Sequence, residues 1–215
     1  MFKGLTLQLT LTTCISKGRK LSTTAPSNPI LVDRIISRSL NSDIVLVVFG
    51  VALTAFAAQL QIPANPVPFT FQTLAVLLIG ATYGGARAAI TMSSYVVLGA
   101  LGLPIFAGGA SGFDKIFGAT GGFLLGFIFA AFLTGYLAEL NWSSNALKMF
   151  VSFALGSVVI YAIGVPVLAM VAFKSDLVAA ITYMFPYLLW DTVKAVLAAG
   201  IVPGAFVLVK KIKKS

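Results

Sequence analysis

The chain has 215 residues, of which 59% are hydrophobic and only 10% are charged. Soluble domains are nearer a quarter charged, so this composition predicts an all-α integral membrane protein without a separate soluble domain. Histidine is absent, and the sequence contains no Gly-Lys dipeptide and no Gly-x-Gly. These absences argue against His-based catalysis or metal sites, a P-loop and a dinucleotide fingerprint. We therefore expect neither an enzyme nor a bound cofactor.

The first 43 residues form a basic N-terminal tail. Their first 25 residues are rich in Ser and Thr and contain no acidic residue. This composition favours a cytoplasmic tail. Transit peptides are also basic, Ser-rich and poor in acids, so a leader is an alternative, and a wrongly assigned start codon is a third.

Polar or proline-rich breaks divide the rest of the chain into six apolar segments, which predict six transmembrane helices. The segments are 44–62, 69–82, 88–103, 119–138, 149–173 and 187–209. Three prolines preclude a regular helix in 63–68, and a glycine-rich loop fills 104–118. Pro186 interrupts the apolar run before the last helix, and residues 210–215 form a basic C-terminal tail.

The distribution of basic residues indicates an orientation. Twelve of the 15 Lys and Arg residues lie in the two tails and in the turns after the second and fourth segments. Positive charge concentrates on the cytoplasmic side, so both termini are predicted to be cytoplasmic, in the plasma membrane. The loops 63–68, 104–118 and 174–186 then converge outside. Asp191 and Lys194 are expected near the outer end of the last helix, in a pocket open to the outside.

Asp191 and Lys194 are the only charged residues between Asp176 and Lys210. A charge in hydrocarbon costs several kcal/mol, so such residues usually face a cavity or each other. Residues three positions apart share one face of a helix. The pair therefore predicts a binding site, and a self-neutralising ion pair that only eases membrane insertion is the alternative.

Small residues recur every four positions in two segments, a spacing that lets helix backbones approach closely. The rows are Gly118, Gly122 and Gly126 at the start of the fourth segment and Gly50, Thr54 and Ala58 in the first. Packing among the six helices is the favoured interpretation for the fourth segment. For the first segment, a face offered to a partner protein is the alternative.

The run of small residues that includes Gly108 and Gly109 lies in a loop. Glycine allows a backbone to approach a ligand closely, so both are candidate ligand contacts. A flexible connection without any contact is equally compatible with the sequence.

Four stretches together resemble the biotin-specific S component (BioY) family of energy-coupling-factor transporters. They are LTAFAAQLQIPANPVPFTFQTLAVLLIGATYGGARAA, YVVLGALGLPIFAGGASG, GATGGFLLGF and WDTVKA, and the resemblance covers about residues 44–209. It implies the S-component fold, with six membrane helices, and high-affinity capture of biotin from outside. It also implies a transmembrane coupling protein and two ABC ATPases as partners. A solitary biotin carrier without an ATPase, and an S component for a different vitamin, are the alternatives.

S components commonly contact the coupling protein through an Ala-x-x-x-Ala pattern in the first helix. Residues 44–62 contain no such pair, and the row Gly50, Thr54 and Ala58 is the nearest equivalent. This row is therefore the candidate helix face for the partner. Whether the energising module is dedicated, shared or absent stays open.

The resemblance also assigns a ligand site. The family's Asp-x-x-Lys ligand motif corresponds to Asp191 and Lys194. Biotin carries a ureido ring, with two N–H donors and one carbonyl acceptor, and a carboxylate tail. Asp191 can accept from a ureido N–H, and Lys194 can donate to the ureido oxygen or to the carboxylate. Gln72 is a further candidate because a buried amide needs partners. Apolar walls could come from four aromatic residues, namely Tyr95, Phe106, Tyr187 and Trp190. For each of them singly, plain core packing or an interfacial anchor is the favoured interpretation.

Overall fold

The structure, a computed structural model, describes residues 30–37 and 39–212 and is mostly helical. Most of the predicted N-terminal tail lies outside the described residues. The helices of the described part are α1 (Leu31–Ile35), α2 (Leu40–Gln59), α3 (Gln72–Tyr83), α4 (Gly85–Ala100), α5 (Phe113–Ile116), α6 (Gly121–Glu139), α7 (Ala146–Ala172) and α8 (Leu177–Ile212). The short elements are the strands β1 (Gln61–Ile62) and β2 (Phe69–Thr70), which pair antiparallel, and 3-10 turns at Ala107–Gly109 and Trp142–Ser144.

Each of the six predicted segments contains a helix, but the helices differ in length. Among the described residues, α2, α6, α7 and α8 are long and apolar enough to cross a membrane. In contrast, α3 has 12 residues, about 18 Å at 1.5 Å per residue, which is short of a bilayer core of roughly 30 Å. The chain is a multi-pass membrane protein, and a crossing by all six helices stays a prediction.

The last helix is longer than the sequence predicts. Instead of starting after Pro186, α8 begins at Leu177 and continues through Pro186 and Pro203. Proline removes one backbone hydrogen bond, but neighbouring helices compensate for that loss in a membrane, and α8 packs along α7. Asp191 consequently lies about 21 Å from the start of α8 at 1.5 Å per residue. It is deep in the helix rather than near its outer end.

The central helix of the fold is α6, which contacts α3, α4 and α7. Its small residues allow this packing. A Cβ atom on Gly122 would lie 2.7 Å from Val167 Cβ, and one on Gly126 would lie 3.0 Å from Ile160 Cα. Both neighbours belong to α7, so the predicted internal packing of this row is confirmed for these two glycines. Gly118 lies in the turn before the helix.

The row of small residues in α2, Gly50, Thr54 and Ala58, faces the interior of the helical body. Thr54 and Ala58 have no exposed surface, and a Cβ atom on Gly50 would lie 2.6 Å from Thr91 Cγ2 of α4. The predicted partner face is therefore wrong. Gly50 packs against α4 and α3, and the other two residues of the row are buried, because the same spacing serves close contact within one protein as well as between two. The exposed face of α2 carries larger side chains, including Val48 and Phe49.

The folded body begins before residue 44, where the sequence predicts that the membrane domain starts. In α1, Leu31 and Val32 are buried. Arg87, in the first turn of α4, pairs through Nη1 with Asp33 Oδ1 at 2.6 Å and through Nε with Asp43 Oδ1 at 2.7 Å. These ion pairs join α1, α2 and α4 at one end of the molecule, so residues 30–37 and 39–43 are part of the helical body.

Candidate functional site

A cavity lies between the β1–β2 segment, the loop before α6, and the helices α3, α6, α7 and α8. It offers about 160 Å³ to the centres of water-sized molecules. On that measure one water needs roughly 10–15 Å³, so a much larger ligand fits. The walls are largely apolar, with residues such as Phe123, Leu124, Phe127, Ile160 and Met184.

Asp191 and Lys194 form an ion pair in the cavity wall. Lys194 Nζ lies 2.8 Å from Asp191 Oδ1 and also donates to the Thr70 carbonyl at 2.7 Å and to Thr73 Oγ1 at 2.9 Å. The Thr73 hydroxyl donates to Asp191 Oδ1 at 2.9 Å, and the Tyr161 hydroxyl donates to Asp191 Oδ2 at 2.7 Å. An ammonium has three donors, so Lys194 is saturated. Among the described residues, Asp191 Oδ2 accepts only from Tyr161 and keeps a free acceptor position.

Local structure around the prolines fixes the partners of this pair. Residues 63–68 connect β1 to β2, whose register pairs Gln61 with Thr70 and Ile62 with Phe69. The hairpin ends directly before α3, so the Thr70 carbonyl and the Thr73 hydroxyl both point to α8. The proline-rich segment therefore helps to place Thr70 and Thr73 against α8. From the sequence, we predict only that this segment is not helical.

Gln72 is buried and lines the cavity, and its amide orientation follows from its neighbours. Gln72 Nε2 donates to the Tyr95 hydroxyl at 2.8 Å, which donates to the Ile105 carbonyl at 2.8 Å. A carbonyl only accepts, so the Tyr95 oxygen must accept from the amide nitrogen of Gln72. The Gln72 carbonyl Oε1 is left without a partner among the described residues and is a second acceptor for a ligand.

Aromatic side chains form flat parts of the wall. The Phe69 and Tyr187 rings stack with centroids 3.6 Å apart, and the Tyr187 hydroxyl donates to the Val67 carbonyl. Phe106 and Trp190 also line the cavity. Tyr95 does not line the cavity, because it is fully buried behind the wall. Its ring packs against Phe106 in a T-shaped arrangement, with the centroids 5.5 Å apart.

Gly108 and Gly109 are exposed and do not line the cavity. Both have φ of 69°, a backbone conformation that favours glycine. The Gly109 N–H donates to Gln59 Oε1 at 3.0 Å, and Gln59 Nε2 donates to the Phe106 carbonyl at 3.0 Å. The glycines thus turn the loop so that Phe106 lies in the wall, which is a different role from the predicted ligand contact.

The structure brings together most of the predicted residues, namely Asp191, Lys194, Gln72, Phe106, Tyr187 and Trp190. Sequence reasoning misses Thr73, Tyr161 and Lys115, which also line the cavity. Tyr161 had a usable signal, because it is a polar side chain inside a long apolar helix. Thr73 and Lys115 had none, since threonine and lysine are ordinary at a helix start and in a polar loop.

Comparison with known proteins identifies the family. A family model described as the BioY family matches residues 29–211. The chain belongs to the BioY family. The biotin transporter BioY of Thermotoga maritima is 40% identical over 149 residues, which cover 69% of this chain and 86% of that protein. The biotin transporter BioY of Rhizobium etli is 41% identical over 141 residues, 62% of this chain and 75% of that protein.

A solved structure shares the fold of this BioY family member. It is the crystal structure at 2.1 Å of the S component for biotin from an ECF-type ABC transporter. The TM-score is 0.66 with 23% sequence identity, and the match covers 83% of this chain and 96% of that chain. The S-component fold implied by the sequence resemblance is therefore confirmed.

Proposed function

We propose that this protein captures biotin in the cavity and acts as the substrate-specific subunit of an energy-coupling-factor transporter. The observation that carries the proposal is the Asp191–Lys194 pair in the wall of a largely apolar cavity. The relatives named as biotin transporters and the shared S-component fold support it. An ion pair that only eased membrane insertion would not need a cavity beside it.

The polar groups of the wall match a ureido ring. Two acceptors are available for its two N–H donors, the free position on Asp191 Oδ2 and the Gln72 Oε1 carbonyl. The ureido oxygen needs a donor, which Lys194 provides when it exchanges its bond to the Thr70 carbonyl for one to the ligand. The aromatic and aliphatic walls take the bicyclic ring and the chain, as apolar pockets with few polar groups do.

A ligand panel on the purified protein tests this assignment. Titration calorimetry with biotin and with other water-soluble vitamins should give saturable binding for biotin alone. Tight binding of a different vitamin, with none for biotin, would contradict the ligand. The cavity and the ion pair would then serve another S-component substrate.

The cavity is proposed to open to the outside, with both termini cytoplasmic and the helices of all six predicted segments crossing the plasma membrane. The positive-inside distribution supports this orientation. Arg87 lies at one end of α4, and the loop that covers the cavity follows the other end of that helix. A Cys14→Ser variant carrying a cysteine at Ser111 should be labelled from outside intact cells, whereas one at Ser144 should not. The reverse pattern would place the cavity on the cytoplasmic side.

Association with a transmembrane coupling protein and ABC ATPases is part of the proposal, and solitary operation is its alternative. Liposomes that contain only this protein separate the two. An S component should bind biotin at their surface without accumulating or equilibrating it inside. Biotin entry at a rate that accounts for uptake in cells would favour the solitary carrier.

A further inference from the structure

Lys115 lines the cavity and belongs to the loop before α6, which covers the cavity. It lies in α5, and its side chain is exposed. Its backbone N–H donates to the Gly112 carbonyl at 3.3 Å, and its carbonyl accepts from the Thr120 hydroxyl at 3.4 Å. The ammonium itself has no hydrogen bond or ion pair with any other residue that the structure describes. It is therefore available to a ligand.

The charges of the wall do not balance. Its charged residues are Asp191, Lys194 and Lys115, so the wall carries one more positive than negative charge. Asp191 and Lys194 compensate each other. The excess belongs to Lys115, and a ligand with a single negative charge would neutralise it.

Lys194 is poorly placed to bind a ligand carboxylate as well as the ureido ring. Its three donors go to Asp191, Thr70 and Thr73. A carboxylate beside it would also lie beside the buried Asp191 carboxylate, and like charges at close range repel. The exposed ammonium of Lys115 has neither restriction.

We propose that Lys115 binds the carboxylate of the ligand at the mouth of the cavity, so that the site prefers a free acid to a neutral derivative. This inference rests on the proposed function, because it places the ureido ring of biotin on Asp191 and Gln72. The aliphatic chain then runs along the aromatic wall from the buried pair to the exposed lysine. Lys115 thus acts in specificity, since it distinguishes the charge on the far end of the ligand.

The test compares biotin with biotinamide, which has the same ring and chain but no carboxylate. Titrations use the purified full chain as wild type, Lys115→Met, Lys115→Arg and Lys174→Met. Lys174 is a matched control because it is also an exposed lysine in a loop and is absent from the cavity wall. Exposed ion pairs are worth at most about 1 kcal/mol, so Lys115→Met should weaken biotin binding by about three- to fivefold.

The same substitution should leave the affinity for biotinamide unchanged, and Lys115→Arg should retain the preference for biotin. Lys174→Met should bind both ligands like the wild type. Equal losses for biotin and biotinamide in Lys115→Met, or no loss for either, would overturn the inference while leaving biotin capture intact. If the wild type binds neither ligand, the proposed function fails and this inference fails with it.

Discussion

Two clusters of paired charge lie at different places in the molecule and differ in what surrounds them. Arg87 pairs with Asp33 and Asp43 and joins three helices. Asp191 and Lys194 belong to one helix, three positions apart, and lie in the wall of a cavity. Both clusters satisfy the expectation that charges in a membrane protein find partners.

The comparison shows that an ion pair alone does not identify a binding site. The Arg87 cluster links α1, α2 and α4, so its partners are distant in sequence and its effect is to hold helices together. The Asp191 cluster connects α8 to the start of α3 and to α7, but Asp191 also lines the cavity and keeps an acceptor position on Oδ2 that no described residue occupies. That free position beside a cavity separates a site from a structural clamp.

Removing the charge of Asp191 should produce the largest change in binding. A hydrogen bond to a charged group is worth about 1.5–3 kcal/mol, so Asp191→Asn is expected to weaken biotin binding at least about tenfold by titration calorimetry. The effect includes loss of the pair with Lys194. Asp43→Asn is the matched control, since it makes the same change in the Arg87 cluster and should leave affinity within about twofold of wild type.

The folded state of Asp191→Asn has to be checked separately, by its thermal unfolding in detergent. A variant that is folded and binds biotin with wild-type affinity would contradict the site and support an ion pair that serves only insertion. Equal losses of affinity in Asp191→Asn and Asp43→Asn would remove the distinction between the two clusters.

Arg87→Met should have the opposite signature. The substitution removes the guanidinium from two carboxylates, and hydrogen bonds to charged groups contribute about 1.5–3 kcal/mol. We expect a lower midpoint of thermal unfolding and biotin affinity within about twofold of wild type. Lys148→Met, which changes an exposed lysine in the first turn of α7, is the control for loss of one positive charge. A selective loss of affinity without loss of stability would contradict the assignment of Arg87 as structural.

The sequence predicts the helices and the charged pair because both leave strong local signals. Long apolar segments are visible without tertiary information, and so are two charges within them. Contacts between distant segments leave no such signal. Thr73 and Tyr161 reach Asp191 from α3 and α7, at separations of 118 and 30 residues, so only the fold reveals that they contact Asp191.

The failures of prediction also have a common physical cause. The spacing of Gly50, Thr54 and Ala58 indicates a close helix contact correctly but does not tell which helix provides the contact. Pro186 removes a hydrogen bond in any helix, and only packing determines whether the helix continues through it. Gly108 and Gly109 do lie in a special turn, but the sequence does not tell which side of that turn faces the cavity.

Gln72 gives the smallest effect, and it tests the boundary of the site. Its Nε2 atom is occupied by Tyr95, so only its Oε1 atom is offered to a ligand, and a neutral hydrogen bond is worth about 0.5–1.5 kcal/mol. Gln72→Met keeps the length of the side chain and removes both bonds. Biotin affinity should therefore fall about two- to tenfold, less than in Asp191→Asn.

Tyr95→Phe removes the internal bond but leaves the Gln72 carbonyl in place, so it should reduce affinity less than Gln72→Met does. If Tyr95→Phe lowers affinity as much as Gln72→Met while both proteins stay folded, the amide acts through the buried tyrosine and not through contact with the ligand. The site would then be limited to the polar cluster around Asp191.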